Sequence, residues 1–190
     1  QMIDAYIKYC TAIFNRYKGK VKYWLTFNEI NMLLHMPFMG AGILFDEGED
    51  KDQVSYQAAH YELVASAKAV KLAHEIMPDC MVGCMLAAGN YYPWSCNPVD
   101  VYAAMEADRD NYHFIDAQAR GEYPKFAWKR MEKLGLHLDI TEEDLQVMQE
   151  GPVDFISFSY YSSRCSSGVP EIVEKNKKPG NAAIFSLKNP

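Results

Sequence analysis

Nowhere in the 190 residues is there an apolar run approaching the roughly 18 to 20 residues a membrane-spanning helix needs, so no membrane partner is expected. Basic excess is missing too, with 19 Lys and Arg against 25 Asp and Glu for a net charge of −6. Nucleic-acid affinity rests on many cationic contacts to phosphate, so a general polyanion binder is excluded, although a local pocket for one phosphate group is not. The five cysteines, Cys10, Cys80, Cys84, Cys96 and Cys165, form an odd set without paired CxxC motifs. That pattern argues against a zinc site and for a reduced, cytoplasmic compartment, with Cys80 and Cys84 read as core residues. His60 and His74 stand fourteen residues apart, a poor spacing for a metal pair, so they read as structural or solvent-facing and no metal or cofactor is expected. Gly40-Ala41-Gly42 is too short a glycine run to cradle phosphate. Internal repeats, low-complexity tracts and a signal peptide are absent as well, and the first helix opens at Gln1 without an N-cap, which reads as a boundary inside a larger protein.

What is present is a chain that is 49% hydrophobic and 23% charged, enough for one sizeable core. Ile3, Tyr6, Ile7, Cys10, Ile13, Phe14 and Tyr17 repeat at three- and four-residue spacing and predict a helix up to Lys18-Gly19. Val21 to Asn31 follows, an apolar strand expected to be buried on both faces and to deliver Asn28 and Glu29 at its carboxyl end, where α/β folds place chemistry. His35 to Asp52, with Pro37 and three glycines, reads as a long loop. Gln53 to Met77 predicts a long helix ended by Pro78, and Met81 to Ala87 a second strand running into the aromatic stretch Gly89 to Trp94. Pro98 to Ala107, Asn111 to Arg120 and Pro124 to Leu134 read as three helices. Thr141 and Asp144 form a capping box for Glu142 to Glu150. Val153 to Tyr161 is the third strand, and Lys175 to Asn181 reads as an exposed loop.

This alternation predicts a parallel α/β protein. Three strands do not close a barrel of eight, which takes about 250 residues. The whole chain therefore reads as a single segment, with no linker dividing it.

Thr26-Phe27-Asn28-Glu29 is followed in order by Phe114-Ile115-Asp116, Gly121-Glu122-Tyr123-Pro124 and the run Asp154 to Tyr161. In these motifs and their order the chain resembles glycoside hydrolase family 1, the retaining β-glycosidases, with Ile30 in place of the family's proline after the glutamate. Ser159 stands where most of the family has asparagine before the tyrosine pair, as in the branch acting on 6-phospho-β-glucosides. The resemblance implies a partial TIM barrel, about strands 4 to 6, and no cofactor. It implies Glu29 as general acid/base, Asn28 on the sugar 2-hydroxyl, and Tyr161 orienting a nucleophile whose own motif is absent here. The shorter Ser159 puts the usual sugar contact at its position in doubt.

Retaining hydrolysis uses two carboxyl groups about 5 to 5.5 Å apart, one protonating the leaving oxygen and one attacking the anomeric carbon. Glu29 suits the first role by its strand-end position, the bland alternative being an ordinary Glu paired with a Lys. Asn28 donates and accepts at once, as a sugar hydroxyl requires, the bland alternative being an amide that caps a loop. Ser157, Ser159 and Tyr161 alternate to one face of their strand, and packing alone could account for the tyrosines. Glu47, Glu49, Glu122 and Glu150 lie in a loop, beside a turn or at a helix end, and are poor candidates for the nucleophile. Activity on unphosphorylated β-glucosides or β-galactosides, and a non-catalytic sugar-binding or assembly module able to self-associate through its strand edges, both remain open.

Overall fold

The computed structural model describes residues 1–176. The chain clusters into two compact units, Gln1–Ala87 with His113–Phe158, and Ala88–Tyr112 with Ser159 onward.

The first unit begins with α1 (Met2–Tyr17), whose predicted apolar stripe buries Cys10 and Phe14. It runs into β1 (Tyr23–Asn28), which lies parallel to β2 (Met81–Ala88). With β4 (Phe155–Tyr160) they make a sheet of order β1-β2-β4. Between β1 and β2 runs α3 (Lys51–Ile76), capped by Asp50, whose carboxylate accepts from Asp52 N at 3.0 Å and Gln53 N at 3.1 Å. Small residues at 59, 65, 67, 69 and 73 let neighbours close on α3 from several sides, so it is buried well beyond one stripe.

The β1–β2 register holds from Tyr23↔Met81 to Leu25↔Gly83 and then skips, with Asn28 opposite Met85. Three steps on β1 thus match two on β2, which is a bulge at Thr26 and Phe27. Both of these turn toward the helices with Trp24, where Tyr6 lies 4.9 Å from Phe27 and Phe14 lies 5.1 Å from Trp24, centroid to centroid. Asn28 is thereby set on the same face as Tyr23 and Leu25. That face is open, Tyr23 being 62% and Leu25 48% exposed. The expectation of a strand buried on both faces is corrected here: the helices cover one side of β1, and no layer covers the other among the described residues. Further along this open face Gly83 admits the Phe155 ring so closely that a Cβ would stand 2.4 Å from it.

The stretch read as a loop from His35 instead contains a short helix, α2 (Pro37–Ala41), preceded by a 3₁₀ turn at Ile30–Leu34. The two helices expected between Pro98 and Arg120 are one, α4 (Pro98–Arg120). Its polar middle does not break it because there is no Gly or Pro and the polar groups find lateral partners: Arg109 pairs with Glu106 at 2.8 Å, and Asp108 accepts from Tyr91 N at 3.0 Å. α5 (Lys125–Lys133) and α6 (Glu142–Glu150) follow, the latter with the predicted capping box, Thr141 Oγ1 accepting from Asp144 N at 3.1 Å.

In the second unit the aromatic stretch forms β3 (Tyr91–Pro93), paired in parallel with β5 (Arg164–Ser166), neither of which the sequence revealed. Fully buried Asp100 ties it together, accepting from Ser95 Oγ at 2.6 Å, Ser167 Oγ at 2.5 Å and Gly168 N at 3.2 Å. These bonds hold its carboxyl below the usual carboxylate range. The last described element is α7 (Pro170–Asn176). Lys175 and Asn176 close it, and the rest of the expected loop lies outside the described residues. No helix among them is long and apolar enough to cross a membrane.

Candidate active site at the end of the first strand

Glu29 is the one non-glycine residue with positive φ among the described residues, at φ 55° and ψ 52°. A left-handed backbone costs a side-chain-bearing residue about 1 to 2 kcal/mol, and such outliers persist where the surroundings over-determine them, often at functional sites. Here the surroundings do so from both sides. Glu29 N donates to Met85 O at 2.8 Å, and its carbonyl accepts from Met32 N at 2.8 Å, which starts the 3₁₀ turn. Below the turn Ile30 and Leu33 are sunk in the core. Asn31, 1% exposed, reaches β2, where Oδ1 accepts from Ala87 N at 3.1 Å and Nδ2 donates to Ala87 O at 3.0 Å.

The residues before Glu29 are anchored in the same way. Thr26 Oγ1 shares a 2.7 Å hydrogen bond with Ser66 Oγ, the Tyr6 hydroxyl donates to Thr26 O at 2.9 Å, and Gln118 Nε2 donates to Ser66 Oγ at 3.2 Å. Burial raises the Tyr6 phenol above its ordinary value, which keeps it a neutral donor. Thr26 and Phe27 are therefore anchors, while Asn28 and Glu29 are presented. The structure brings these two together at one strand end, with Asn28 on the open face.

Along β4, Ser157 Oγ donates to Cys84 O at 2.8 Å. Ser159 follows it on the same side by strand alternation, while Ile156, Phe158 and Tyr160 take the other side and are 48%, 63% and 51% exposed. Tyr161 lies just past the strand and is 86% exposed. Ser159 and Tyr161 belong to the second unit, Asn28 and Glu29 to the first.

Four of the other titratable groups have structural partners. His60, fully buried, has Nδ1 3.1 Å from the Tyr123 hydroxyl and Nε2 3.6 Å from Asp144, and burial pushes its pKa down. His74 pairs with Asp154 at 2.8 Å. Glu49 accepts from Asp46 N, and Glu150 is held by Lys71 and Gln146. Cys80 and Cys84 are buried as expected, and burial pushes the Cys84 thiol up to about 11. Among the described residues no three His, Cys, Asp or Glu side chains are grouped to hold a metal. Sequence reasoning missed Asn31, Tyr6 and Ser66. Only Asn31 left a signal, an amide two residues beyond Glu29.

The chain is similar to several known proteins. The 6-phospho-beta-glucosidase AscB of Escherichia coli (strain K12) is 50% identical over 190 residues, covering 100% of this chain and 39% of that protein. The aryl-phospho-beta-D-glucosidase BglH of Bacillus subtilis (strain 168) is 45% identical, covering 100% of this chain and 40% of that protein. The chain thus spans about two fifths of the length of these curated relatives. Among solved structures, a family 1 b-glucosidase from Thermotoga maritima matches with TM-score 0.71 and 25% identity over 86% of this chain and 36% of that one. The AHE enzyme from Alicyclobacillus herbarius matches with TM-score 0.74 and 21% identity over 100% and 40%. The fold is accordingly a partial TIM barrel. A model of glycosyl hydrolase family 1 matches residues 1–188, and the chain belongs to that family.

Proposed function

We propose that residues 1–190 are the acid/base-bearing part, about strands 4 to 6, of a retaining hydrolase that cleaves 6-phospho-β-glucosides. The observation that carries the reading is the left-handed Glu29 at the end of β1, a carboxyl held on a strained and doubly anchored backbone. The phospho-glucosidase names of AscB and BglH support the substrate class. In this reading Glu29 protonates the leaving oxygen and then, as its carboxylate, takes the proton of the attacking water. Asn28, on the open face, hydrogen-bonds the sugar 2-hydroxyl. Tyr161 orients the nucleophilic carboxylate, which this chain does not supply, and Ser159 sits beside the sugar with room for a water. Five cysteines that form no disulfide among the described residues suit a cytoplasmic enzyme.

On this reading the 190-residue chain alone turns over neither nitrophenyl 6-phospho-β-glucoside nor nitrophenyl β-glucoside. The full-length enzyme carrying it turns over the phosphorylated substrate at roughly 1 to 1,000 per second. In that enzyme Glu29→Gln slows methyl 6-phospho-β-glucoside, a poor leaving group, on the order of 100- to 10,000-fold. With the nitrophenyl substrate the first step survives, and azide, which attacks without a base, restores turnover and yields a β-glycosyl azide. Equal slowing of both substrates and indifference to azide would refute the assignment. A second reading, action on unphosphorylated β-glucosides, draws on the Thermotoga maritima b-glucosidase and wins if the unphosphorylated nitrophenyl glucoside is the better substrate. A full-length protein inert toward both would be a non-catalytic module.

A further inference from the structure

The pairing of β1 with β2 contains one rung that the β1 backbone cannot complete. In a parallel ladder, a residue whose N–H donates to one carbonyl across the gap accepts, through its own carbonyl, from the N–H two residues further along the partner strand. Glu29 N donates to Met85 O, so the regular continuation would have Glu29 O accept from Ala87 N. Instead the chain turns left-handed at Glu29, and its carbonyl accepts from Met32 N. The carboxamide of Asn31 occupies the vacated rung, accepting from Ala87 N at 3.1 Å and donating to Ala87 O at 3.0 Å. One planar group carrying a donor and an acceptor side by side does what a strand residue's N–H and C=O would have done.

We infer that Asn31 is the positioning residue of Glu29: by substituting its side chain for the departing strand backbone, it locks the left-handed turn that aims the Glu29 carboxyl. The inference rests on the acid/base reading of Glu29 given above. The geometry fixes the turn at two points on β2, Glu29 N on Met85 and the Asn31 carboxamide on Ala87, with only Ile30 between the two tethered residues. Ile30 is only 3% exposed, so slack at Asn31 would be taken up at Glu29, the half-buried member of the pair. Among substitutions, Asp keeps the acceptor but puts a carboxylate against the Ala87 carbonyl. Leu keeps the shape and makes neither bond. Gln keeps both groups and displaces them by one methylene.

The test uses the full-length enzyme with methyl and nitrophenyl 6-phospho-β-glucosides, comparing wild type, Asn31→Asp, Asn31→Gln, Glu29→Gln and the double variant Glu29→Gln with Asn31→Asp. A displaced general acid should cost on the order of 100-fold in kcat on the methyl substrate, with KM little changed, and much less on the nitrophenyl substrate. Asn31→Asp should add no further discrimination between the substrates in the Glu29→Gln background, because the group it positions is already gone. If Asn31→Asp does not fold, Asn31→Gln carries the same comparison. A merely structural Asn31 would lower both substrates' rates equally, and its effect would multiply with that of Glu29→Gln; either result overturns the inference. The two readings fail separately. If Glu29→Gln itself does not discriminate between the substrates, the acid/base assignment is lost. If it does and the Asn31 variants do not, only the positioning role is lost.

Discussion

Glu62 is a carboxyl kept dry by the helices around it. It is half-buried on α3, close enough to α1 for its charge to act on Tyr6, and no hydrogen bond or ion pair reaches it among the described residues. Desolvation alone pushes its pKa from 4.5 to about 7. An acid with a raised folded pKa holds its proton in the native state while the unfolded chain releases it. The associated stability is therefore complete below pH 4.5, declines as pH rises through the window, and is fully lost above about 7. At about 1.36 kcal/mol per unit, this window amounts to roughly 3 kcal/mol. Glu62→Gln retains the shape and removes the ionisation, so its effect relative to wild type should shift by that amount toward stabilisation between pH 4.5 and pH 8. In a chain of this size that corresponds to about 6 to 12 °C in Tm. Thermal melts of both proteins at pH 4.5, 6 and 8, followed by circular dichroism, read it directly. A difference that stays flat across pH, or grows toward acid, would show that Glu62 is hydrated or paired and the reasoning wrong.

His60 acts in the opposite sense: its depressed pKa contributes stability that is whole above about 6.5 and is lost as pH falls. His60→Gln should flatten the acid limb of the melting profile, and an unchanged limb would contradict the buried-imidazole account. Gly151→Ala should destabilise by about 1 to 3 kcal/mol, because its Cβ would stand 2.3 Å from the backbone carbonyl oxygen of Ala67, which has no side-chain freedom to yield. A urea midpoint that did not move would refute that close approach. The isolated chain should self-associate through its open sheet faces, where Tyr23, Leu25, Ile156 and Phe158 are exposed. Light scattering from a monodisperse monomer with sharp near-ultraviolet dichroism would overturn this expectation.

What the sequence disclosed was whatever repeats locally. The stripe of α1, the stop of α3 before Pro78 and the capping box at Thr141 each depend on residues within a few positions of one another, and all three stand as read, whereas α3 starts at Lys51, inside the stretch read as loop. The strand-end position of Glu29 was legible for the same reason. The β1 bulge was not, because it is defined by register against β2 and is marked by no glycine, so Asn28's face could not be read from alternation. The continuity of α4 depends on Tyr91, which meets Asp108 across seventeen residues. The role of Asn31 depends on Ala87, fifty-six residues away. Burial of β1 was misjudged because its apolar letters are the same whether one face is covered or two.

The Asn31 rung also determines how the two positions that share it can drift. Position 31 is read by its side chain, and every replacement either loses a hydrogen bond or misplaces one. Position 87 is read by its backbone alone, so any small residue that fits the buried site presents the same N–H and C=O. In a set of diverging sequences the first position should be frozen while the second wanders among small residues. Two positions joined by a pair of hydrogen bonds would then leave no correlated substitution behind, and a search for co-varying residues would miss the contact entirely.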